Sequence, residues 1–298
     1  MSDTDAPTLV ELRAGGMQLA VCPEVGGAIA GLTWRGVPIL RPTSPEAIAE
    51  RNVRRMSSYP LVPYSNRIGY AKLAFNGETF ALRPNFPPEP HAIHGVGWQR
   101  AWAVASRTGH EVTLTLHHRP DADWPFAFDA EQVFSLSDGE LTVRIAITNR
   151  DTREAPAGLG FHPFFPLAPS VRLEAAWDGC WESGEDKLPT RWIPLPAEAD
   201  FRVSREIGDW MVDRRFTNWG SVARLDYPTH RTTLRGPPLL AHMVCYIPGG
   251  HDFIALEPVS HVVVSGTVPD TVPDTALRVL PPGGSLEGSM TITIVERR

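Results

Sequence analysis

Lysine is almost absent from this sequence of 298 residues: Lys72 and Lys187 are the only lysines among its 28 basic residues, and the others are arginines. The formal net charge is −6. Because nucleic acids and anionic membranes attract proteins with an excess of positive charge, this balance predicts neither as a partner. Arginine in place of lysine, together with 29 prolines, is typical of GC-rich bacterial coding.

Cysteine is also scarce, and long apolar segments are absent. Cys22, Cys180 and Cys245 are far apart and form no Cys-x-x-Cys pattern, which predicts buried thiols in a reducing compartment. The first 16 residues contain no basic region followed by an apolar one, so we expect no signal peptide. No apolar run approaches the length of a membrane span. These absences predict a cytoplasmic location.

Long segments with helical periodicity are missing, and no Gly-x-Gly-x-x-Gly follows a strand, which excludes a dinucleotide-binding domain. Short segments with period-2 alternation recur instead along the whole chain. They predict an all-β fold, a large antiparallel β-sandwich with few short helices. No linker divides the sequence, so we expect a single domain over residues 1–298. A doubled VPDT at Val268–Thr275 is interpreted as a surface loop, and Trp177–Trp219 as irregular excursions that wall a cleft.

Local signals predict three elements near the N-terminus. Glycine pairs separate the alternating segments of residues 8–40, which indicates an antiparallel meander. Ser44 followed by Pro45 predicts the start of a short helix that runs through Glu50. Asn76-Gly77 tolerates the positive φ angles of a tight reversal, so it predicts a hairpin from Tyr70 to Leu82.

Polar residues cluster at both ends of this hairpin. Asn66 and Arg67 precede its first strand, whereas His91 and His94 follow its second strand. Loops on a rigid sheet commonly carry ligand-binding residues, so we expect these four side chains to lie together. His91-x-x-His94 could ligate a metal, but no third ligand accompanies it in a known pattern, and we expect no metal.

A histidine and two acidic residues interrupt apolar segments further along. His162 in GLGFHPFF could be a core histidine bonded to a carbonyl or a catalytic group. Glu257 in IALEPV must be either ion-paired or a tuned acid/base, since an unpaired buried carboxylate is costly. Asp213 in WMVDRRFTNW is either a turn aspartate or a ligand-binding residue.

Together these segments resemble the aldose 1-epimerase (galactose mutarotase) family over nearly the whole chain. The resemblance is carried by PLVPYSNRI, HAIHGVGW, HPFF, ALEP and the Asp213-x-x-Phe216 spacing. It implies a galactose mutarotase-like supersandwich and an isomerase that interconverts the α and β anomers of a free aldose without a cofactor. The sequence departs from the family pattern at Phe161, where asparagine is common.

The resemblance also implies residue roles. Glu257 would be the catalytic base and His162 the catalytic acid. Arg67, His94, Asn66 and Asp213 would bind the sugar. The expected partner is a small-molecule sugar, and the protein itself is expected to be a monomer or homodimer.

Two other functions remain open at this point. A glycoside hydrolase would need two carboxylates across the scissile bond. A non-catalytic carbohydrate-binding protein would use Trp98, Trp181 and Trp219 as stacking platforms. The substrate is also open: a neutral aldose is the first expectation. An aldose with an anionic C6 group, met by Arg83 and Arg100 beside Arg67, is the second.

Overall fold

The computed structural model describes residues 6–262 and 276–297, which form short strands throughout. The first nine strands are β1 (Val10–Ala14), β2 (Met17–Cys22), β3 (Ala28–Trp34), β4 (Val37–Pro38), β5 (Pro60–Leu61), β6 (Arg67–Ile68), β7 (Lys72–Phe75), β8 (Glu78–Ala81) and β9 (Ala92–Ile93). The next nine are β10 (Ala103–Arg107), β11 (Glu111–His118), β12 (Phe128–Ser137), β13 (Glu140–Asn149), β14 (Ala155–Ala157), β15 (Gly160–Phe161), β16 (Phe164–Pro166), β17 (Arg172–Ala175) and β18 (Gly179–Ser183). The last nine are β19 (Pro189–Pro194), β20 (Phe201–Glu206), β21 (Val212–Thr217), β22 (Val222–Asp226), β23 (His230–Arg235), β24 (His242–Ile247), β25 (Phe253–Val259), β26 (Arg278–Leu280) and β27 (Ser285–Glu296).

Helical structure is limited to short pieces. The α-helix α1 spans Pro45–Ala49, and the Ser44 side chain accepts a hydrogen bond from the backbone N–H of Ala47, as predicted for its N-cap. Single 3₁₀ turns lie at Val53–Arg55, Gly69–Ala71, Gly97–Gln99 and Ala197–Ala199. In the part of the chain that the structure describes, none of these helices has the length and apolarity that a membrane crossing requires.

Two large antiparallel sheets form the sandwich, as predicted. One has nine strands in the order β10-β11-β12-β13-β27-β23-β22-β17-β20. The other follows the order β19-β18-β21-β24-β25-β15-β5, and β16 also pairs with β25. Residues of both sheets, such as Ile145 and Leu256, belong to one buried apolar cluster. Smaller sheets complete the fold: the meander β1-β2-β3-β4 and the pairs β14-β26, β6-β9 and β7-β8.

The local predictions for the first part of the chain are confirmed. Residues 8–40 form the four-stranded meander. Strands β7 and β8 form the hairpin, and its turn residues Asn76 and Gly77 have φ angles of 47° and 79°. This turn suits the right-handed twist of the strands that it joins.

The prediction for Trp177–Trp219 is wrong in part. This segment is not irregular, since it contains strands β18 to β21, which extend both large sheets. Prolines and exposed polar positions hid the alternation: β19 is Pro189–Pro194, and several of its residues are exposed. The doubled VPDT at Val268–Thr275 lies outside the described residues.

Strand β25 is buried along its whole length. Its neighbours β24, β15 and β16 satisfy its backbone groups. Apolar side chains cover both faces, with Leu256 in the cluster between the sheets and Ala255 in a second cluster on the opposite face. Glu257 shares this second face, because side chains two positions apart point the same way in a strand. The fold therefore places a buried carboxylate among apolar side chains.

Trp219 is a core residue, which corrects the expectation of a stacking platform. It is fully buried, and its indole N–H donates to the carbonyl of Leu240. We expect Trp219→Ala to lower the free energy of unfolding by ~3–5 kcal/mol, as for other large-to-small core substitutions. Urea denaturation measures this loss. The control Val203→Ala, at a position that is 81% exposed, should change it by less than ~0.5 kcal/mol. A loss below ~1 kcal/mol for Trp219→Ala would contradict the core role.

Candidate active site

A cavity of about 930 Å³ opens on the face of the eight-stranded sheet that carries Glu257. The strand register determines which residues form the floor of the cavity. Residues opposite each other on paired strands lie side by side, and residues two positions apart along one strand point to the same face of the sheet. One cross-strand row is Glu257, Val244 and Arg215, and the next row is Phe164, Ala255, Tyr246 and Asp213. The sheet thus places two acidic residues and a buried arginine on one surface.

Glu257 and His162 are in direct contact at the bottom of the cavity. The Nε2 atom of His162 lies 3.2 Å from Oε1 of Glu257, and both side chains are less than a tenth exposed. The His162 backbone N–H donates to the carbonyl of Tyr59, which fixes the residue just after β15. Its ring stacks on Phe164, with the ring centroids 4.4 Å apart. The second carboxylate oxygen of Glu257, Oε2, makes no hydrogen bond among the described residues.

Burial controls the protonation of this pair. It raises the pKa of Glu257 well above that of an exposed glutamate, and the negative charge of Asp213 acts in the same direction. Arg215 and Arg67 favour the charged carboxylate and oppose that shift. Burial also lowers the pKa of His162 to about 3, aided by the positive charge of Arg41. Both shifts favour a pair that holds one proton without separated charges.

His94 faces the pair from a strained loop. Its ring centroid lies 5.4 Å from that of His162, with the two rings nearly perpendicular. The residue has a φ of 64°, and the next residue, Gly95, has a φ of 70°. A Cβ atom on Gly95 would lie 2.2 Å from the carbonyl oxygen of Val62, so glycine is required there.

A backbone hydrogen bond sets the tautomer of His94. The Asn66 N–H donates to Nδ1 of His94 at 3.1 Å. Nδ1 is therefore an acceptor, and the neutral ring carries its proton on Nε2. Burial lowers the pKa of His94 well below the usual value, so the ring stays neutral. In this form His94 offers an N–H donor to the cavity.

Asn66 is held by Arg215, a residue that sequence reasoning did not select. Arg215 is 2% exposed and donates through Nη2 to Oδ1 of Asn66 at 2.6 Å and to the carbonyl of Lys187 at 3.0 Å. Burial lowers its pKa to about 10, so it remains a cation at neutral pH. The signal was available, since Arg215 lies two positions from Asp213 and shares its face of β21.

Arg67 is oriented by a second ion pair. Its Nε and Nη2 atoms donate to the two carboxylate oxygens of Glu89 at 2.7 and 3.1 Å. Lys187 donates to the same carboxylate at 2.6 Å. Burial alone would raise the pKa of Glu89, but these hydrogen bonds outweigh it and lower the pKa to about 2. These two hydrogen bonds to Glu89 hold the Arg67 guanidinium in one orientation at the cavity wall.

Comparison with known proteins identifies the family. The family model for aldose 1-epimerases matches residues 8–293. The chain belongs to the aldose 1-epimerase family. The uncharacterised protein YphB of Escherichia coli K12 is 30% identical over 96% of this chain and 99% of its own length.

Solved structures share the fold of this aldose 1-epimerase family member. A putative aldose 1-epimerase from Escherichia coli K12 has a TM-score of 0.88 and 28% identity, with 97% of this chain and 99% of that chain covered. A galactose mutarotase-like protein from Clostridium acetobutylicum has a TM-score of 0.86 and 18% identity, with 98% and 96% covered. The second likeness supports the fold alone.

The residues to which the resemblance assigns a role in an aldose 1-epimerase site lie together. All six line the cavity: Asn66, Arg67, His94, His162, Asp213 and Glu257. Asp213 lies within β21, so it is not a turn aspartate. Phe161, the departure from the family pattern, is buried in the core cluster between the sheets.

Other residues named from the sequence lie elsewhere. The expectation for His91 is wrong, because its ring binds the backbone N–H of Tyr70 and the carbonyl of Asp186 and does not line the cavity. Arg83 pairs with Asp123, and Arg100 with Asp121 and Asp123, away from the cavity. The three tryptophans proposed as stacking platforms (Trp98, Trp181 and Trp219) are each at most 2% exposed and belong to the interior.

A metal does not fit the site as it is built. Nitrogen and oxygen atoms of His94, His162 and Glu257 lie within 4.8 Å of one another. A histidine ligates a metal through a bare nitrogen, whereas His94 uses the lone pair of Nδ1 for the Asn66 N–H and carries its proton on Nε2. The remaining nitrogen of His94, Nε2, is therefore a donor. This arrangement suits a ligand oxygen better than a cation.

The Arg67–Glu89 pair generates a pH-dependent prediction. The folded-state pKa of Glu89, about 2, lies below its unfolded value near 4.5, so its contribution is present above the unfolded pKa and lost as pH falls towards 2. We expect Glu89→Gln to lower the free energy of unfolding by ~1–3 kcal/mol at pH 7, and the gap to shrink below pH ~4.5. Urea denaturation of the parent protein and of Glu89→Gln at a series of pH values from 7 downwards measures this gap in the free energy of unfolding. Glu11→Gln, in the exposed pair with Arg13, is the control. A gap that is constant with pH would contradict the assigned shift.

Proposed function

We propose that this protein is an aldose 1-epimerase that interconverts the α and β anomers of a free aldose. The observation that carries the proposal is the 3.2 Å contact between His162 and Glu257 inside a cavity that also holds Arg67 and His94. Mutarotation requires one proton to leave the anomeric hydroxyl and another to reach the ring oxygen. A carboxylate and an imidazole in contact supply one base and one acid, and no cofactor takes part.

Ring opening uses the pair in its charged form. The Glu257 carboxylate takes the proton of the anomeric hydroxyl, and the imidazolium of His162 gives its proton to the ring oxygen. The C1–O5 bond breaks, its electron pair remains on O5, and the C1–O1 bond becomes the carbonyl of the open aldehyde. The pair is then a neutral carboxylic acid and a neutral imidazole. Burial favours this neutral form.

Ring closure reverses the proton transfers after rotation about the C1–C2 bond. His162 takes the proton from the O5 hydroxyl as O5 attacks C1 from the other face. Glu257 returns its proton to O1. The cycle starts and ends with the same protonation, so no proton is exchanged with solvent. The resting pair is neutral and the reactive pair is charged. Transfer of one proton from the Glu257 carboxyl to Nε2 of His162, 3.2 Å away, converts the first into the second.

The surrounding groups stabilise charge on the two sugar oxygens. Arg67 and the N–H of His94 bond the sugar near O5 and O1, where negative charge develops during ring opening. Asp213, in the cross-strand row next to that of Glu257 and Arg215, accepts hydrogen bonds from hydroxyls further round the ring. Since Glu89 and Asn66 fix Arg67 and His94 before the sugar arrives, these donors need little reorganisation.

The alternatives have less support. A glycoside hydrolase places two carboxyl groups across the scissile bond. Here the partner of Glu257 is an imidazole, and Glu89 is occupied by Arg67 and Lys187. Asp213 lies on the same face of the sheet as Glu257 and not on the opposite wall of the cavity. A binding protein that stacks sugars on tryptophan needs exposed indole faces, whereas the three candidates are buried. The acid/base pair would also be unnecessary for binding alone.

Mutarotation of freshly dissolved α-glucose and α-galactose, followed by polarimetry and by NMR exchange, tests the proposal. We expect the protein to accelerate equilibration at micromolar concentration, both with and without a chelator in the buffer. The panel should include pentoses and anionic hexoses, because the preferred sugar is a separate question. No acceleration with any sugar of the panel would overturn the proposed function.

Substitutions of the pair test the two roles. Glu257→Gln keeps the shape and removes the base, and His162→Asn removes the acid. Each should lower kcat by a factor of ~10² or more, with a smaller change in KM. The exposed Glu11→Gln serves as the matched control. Turnover by Glu257→Gln within a factor of about three of the parent enzyme would exclude Glu257 as the base.

A further inference from the structure

Arg41 lines the cavity without a carboxylate partner. Among residues 6–262 and 276–297, no Asp or Glu lies within ion-pair distance of it. Its Nη2 donates to the carbonyls of Arg54 and Met56 at 3.2 and 2.8 Å. Nε and Nη1 make no hydrogen bond with the described residues. A half-buried guanidinium thus keeps free N–H groups on Nε and Nη1, which lie on different edges of the group, in a fixed orientation.

Two aromatic rings hold this guanidinium in place. Its carbon Cζ lies 3.9 Å from the ring centroid of Phe164 and 4.6 Å from that of Phe253. The backbone is also fixed, because the Arg41 N–H donates to the carbonyl of Phe164 and its carbonyl accepts from the Ser57 hydroxyl. Cation–π contacts and backbone bonds position a cation but do not neutralise it.

Two more arginines stand at the same end of the cavity. Arg54 is exposed, lies 4.0 Å from the ring centroid of Phe86, and has no carboxylate within ion-pair distance among the described residues. Arg55 forms an exposed 3.6 Å pair with Glu50 and donates to the Ser44 hydroxyl at 3.3 Å. Asp252, also exposed at the cavity, is the acidic group that acts on Arg41 from a greater distance. The local balance is positive in a protein whose net charge is −6.

The position of Arg41, Arg54 and Arg55 relative to His162 indicates which part of a bound sugar they would contact. Phe164 contacts both the His162 ring and the Arg41 guanidinium, so a single aromatic ring lies between the proposed acid and the arginine. In a pyranose, the ring oxygen is bonded to C5, and C5 carries C6. A sugar whose O5 meets His162 with C5 turned towards Phe164 places its C6 substituent on the side of Arg41.

We propose that Arg41, with Arg54 and Arg55, forms an anion subsite that recognises a negatively charged group on C6 of the aldose. The inference rests on the proposed function and names its substrate class as C6-anionic hexoses. A phosphate, a sulfonate and a carboxylate share the required chemistry, since each carries negative charge and accepts charge-assisted hydrogen bonds from arginine. At about 930 Å³ the cavity is at the upper end of the range for small-ligand pockets and accommodates such a substituent.

This subsite replaces the one expected from the sequence. Arg83 and Arg100 were the arginines nearest to the motif in the chain, but aspartates occupy both of them outside the cavity. Arg41 is more distant in sequence and reaches the site through the fold. Arg83 is therefore a matched control for charge removal.

The first experiment compares anomer exchange of glucose, glucose 6-phosphate, 6-deoxy-6-sulfoglucose and glucuronate at low and high salt. We expect kcat/KM for at least one anionic sugar to exceed that for glucose by ~10-fold or more, and the excess to shrink in high salt. The sugar with the largest ratio identifies the anion. Equal kcat/KM for all four sugars would overturn the proposal.

The second experiment measures the same ratio in variants. Arg41→Gln should reduce the anionic-to-neutral ratio of kcat/KM by ~10-fold, Arg54→Gln should reduce it less, and Arg41→Lys should retain part of it. Arg83→Gln should leave the ratio unchanged. If the ratio survives both Arg41→Gln and Arg54→Gln, the subsite does not exist as described. Because Arg54 is exposed, its variant remains informative where Arg41→Gln fails to fold.

Binding separates this proposal from the proposed function. Calorimetric titration of the parent protein and of Glu257→Gln with glucose 6-phosphate, 6-deoxy-6-sulfoglucose, glucuronate and glucose requires no turnover. We expect at least one anionic sugar to bind ~10-fold more tightly than glucose in both proteins. The preference should be lost in Arg41→Gln and reduced in Arg54→Gln. A protein that catalyses no exchange but keeps this preference would refute only the epimerase reaction. A protein that catalyses exchange without the preference would refute only the anion subsite.

Discussion

The burial of Glu257 is the constraint on which the rest of the site depends. A carboxylate on a strand that is buried throughout is poorly solvated, so it must share a proton or have cations nearby. Both solutions are present. His162 lies within hydrogen-bond distance, and Arg215 lies two strands away in the same cross-strand row. The resulting pair is near neutrality, which is the condition for moving a proton in either direction.

The supporting groups form a chain that begins with this sheet. Arg215 holds Asn66, the Asn66 backbone fixes the tautomer of His94, and Arg67 is fixed by Glu89. Asn66 and His94 adopt positive φ angles, which few residues tolerate without support. A buried arginine is costly on its own, and here its hydrogen bonds to Asn66, Lys187 and Ser183 offset that cost. The strained loop and the buried cation therefore stabilise each other.

Much of the fold could be predicted from the sequence because its signals are local. Asn76-Gly77, the Ser44 cap and the alternation in strands such as β12 and β13 need no knowledge of distant residues. The strands between Trp177 and Trp219 could not be predicted, because prolines and one-sided exposure obscure their alternation. The hairpin signal brought Asn66, Arg67 and His94 together, whereas His162, Asp213 and Glu257 could be joined to them only with the help of a family resemblance. The partners that orient them, Arg215 and Glu89, and the aspartates that occupy Arg83 and Arg100, depend on long-range pairing that no local pattern encodes.

The scarcity of lysine has a practical consequence at the cavity. One of the two lysine side chains of the chain, Lys187, lines the cavity and is about half exposed, with its amine on Glu89. The other, Lys72, is exposed on the β7–β8 hairpin and does not line the cavity. Acylation of side-chain amines therefore has two targets, one at the site and one as an internal reference. The ratio of the two modification rates reports whether the cavity is occupied, with no engineered probe.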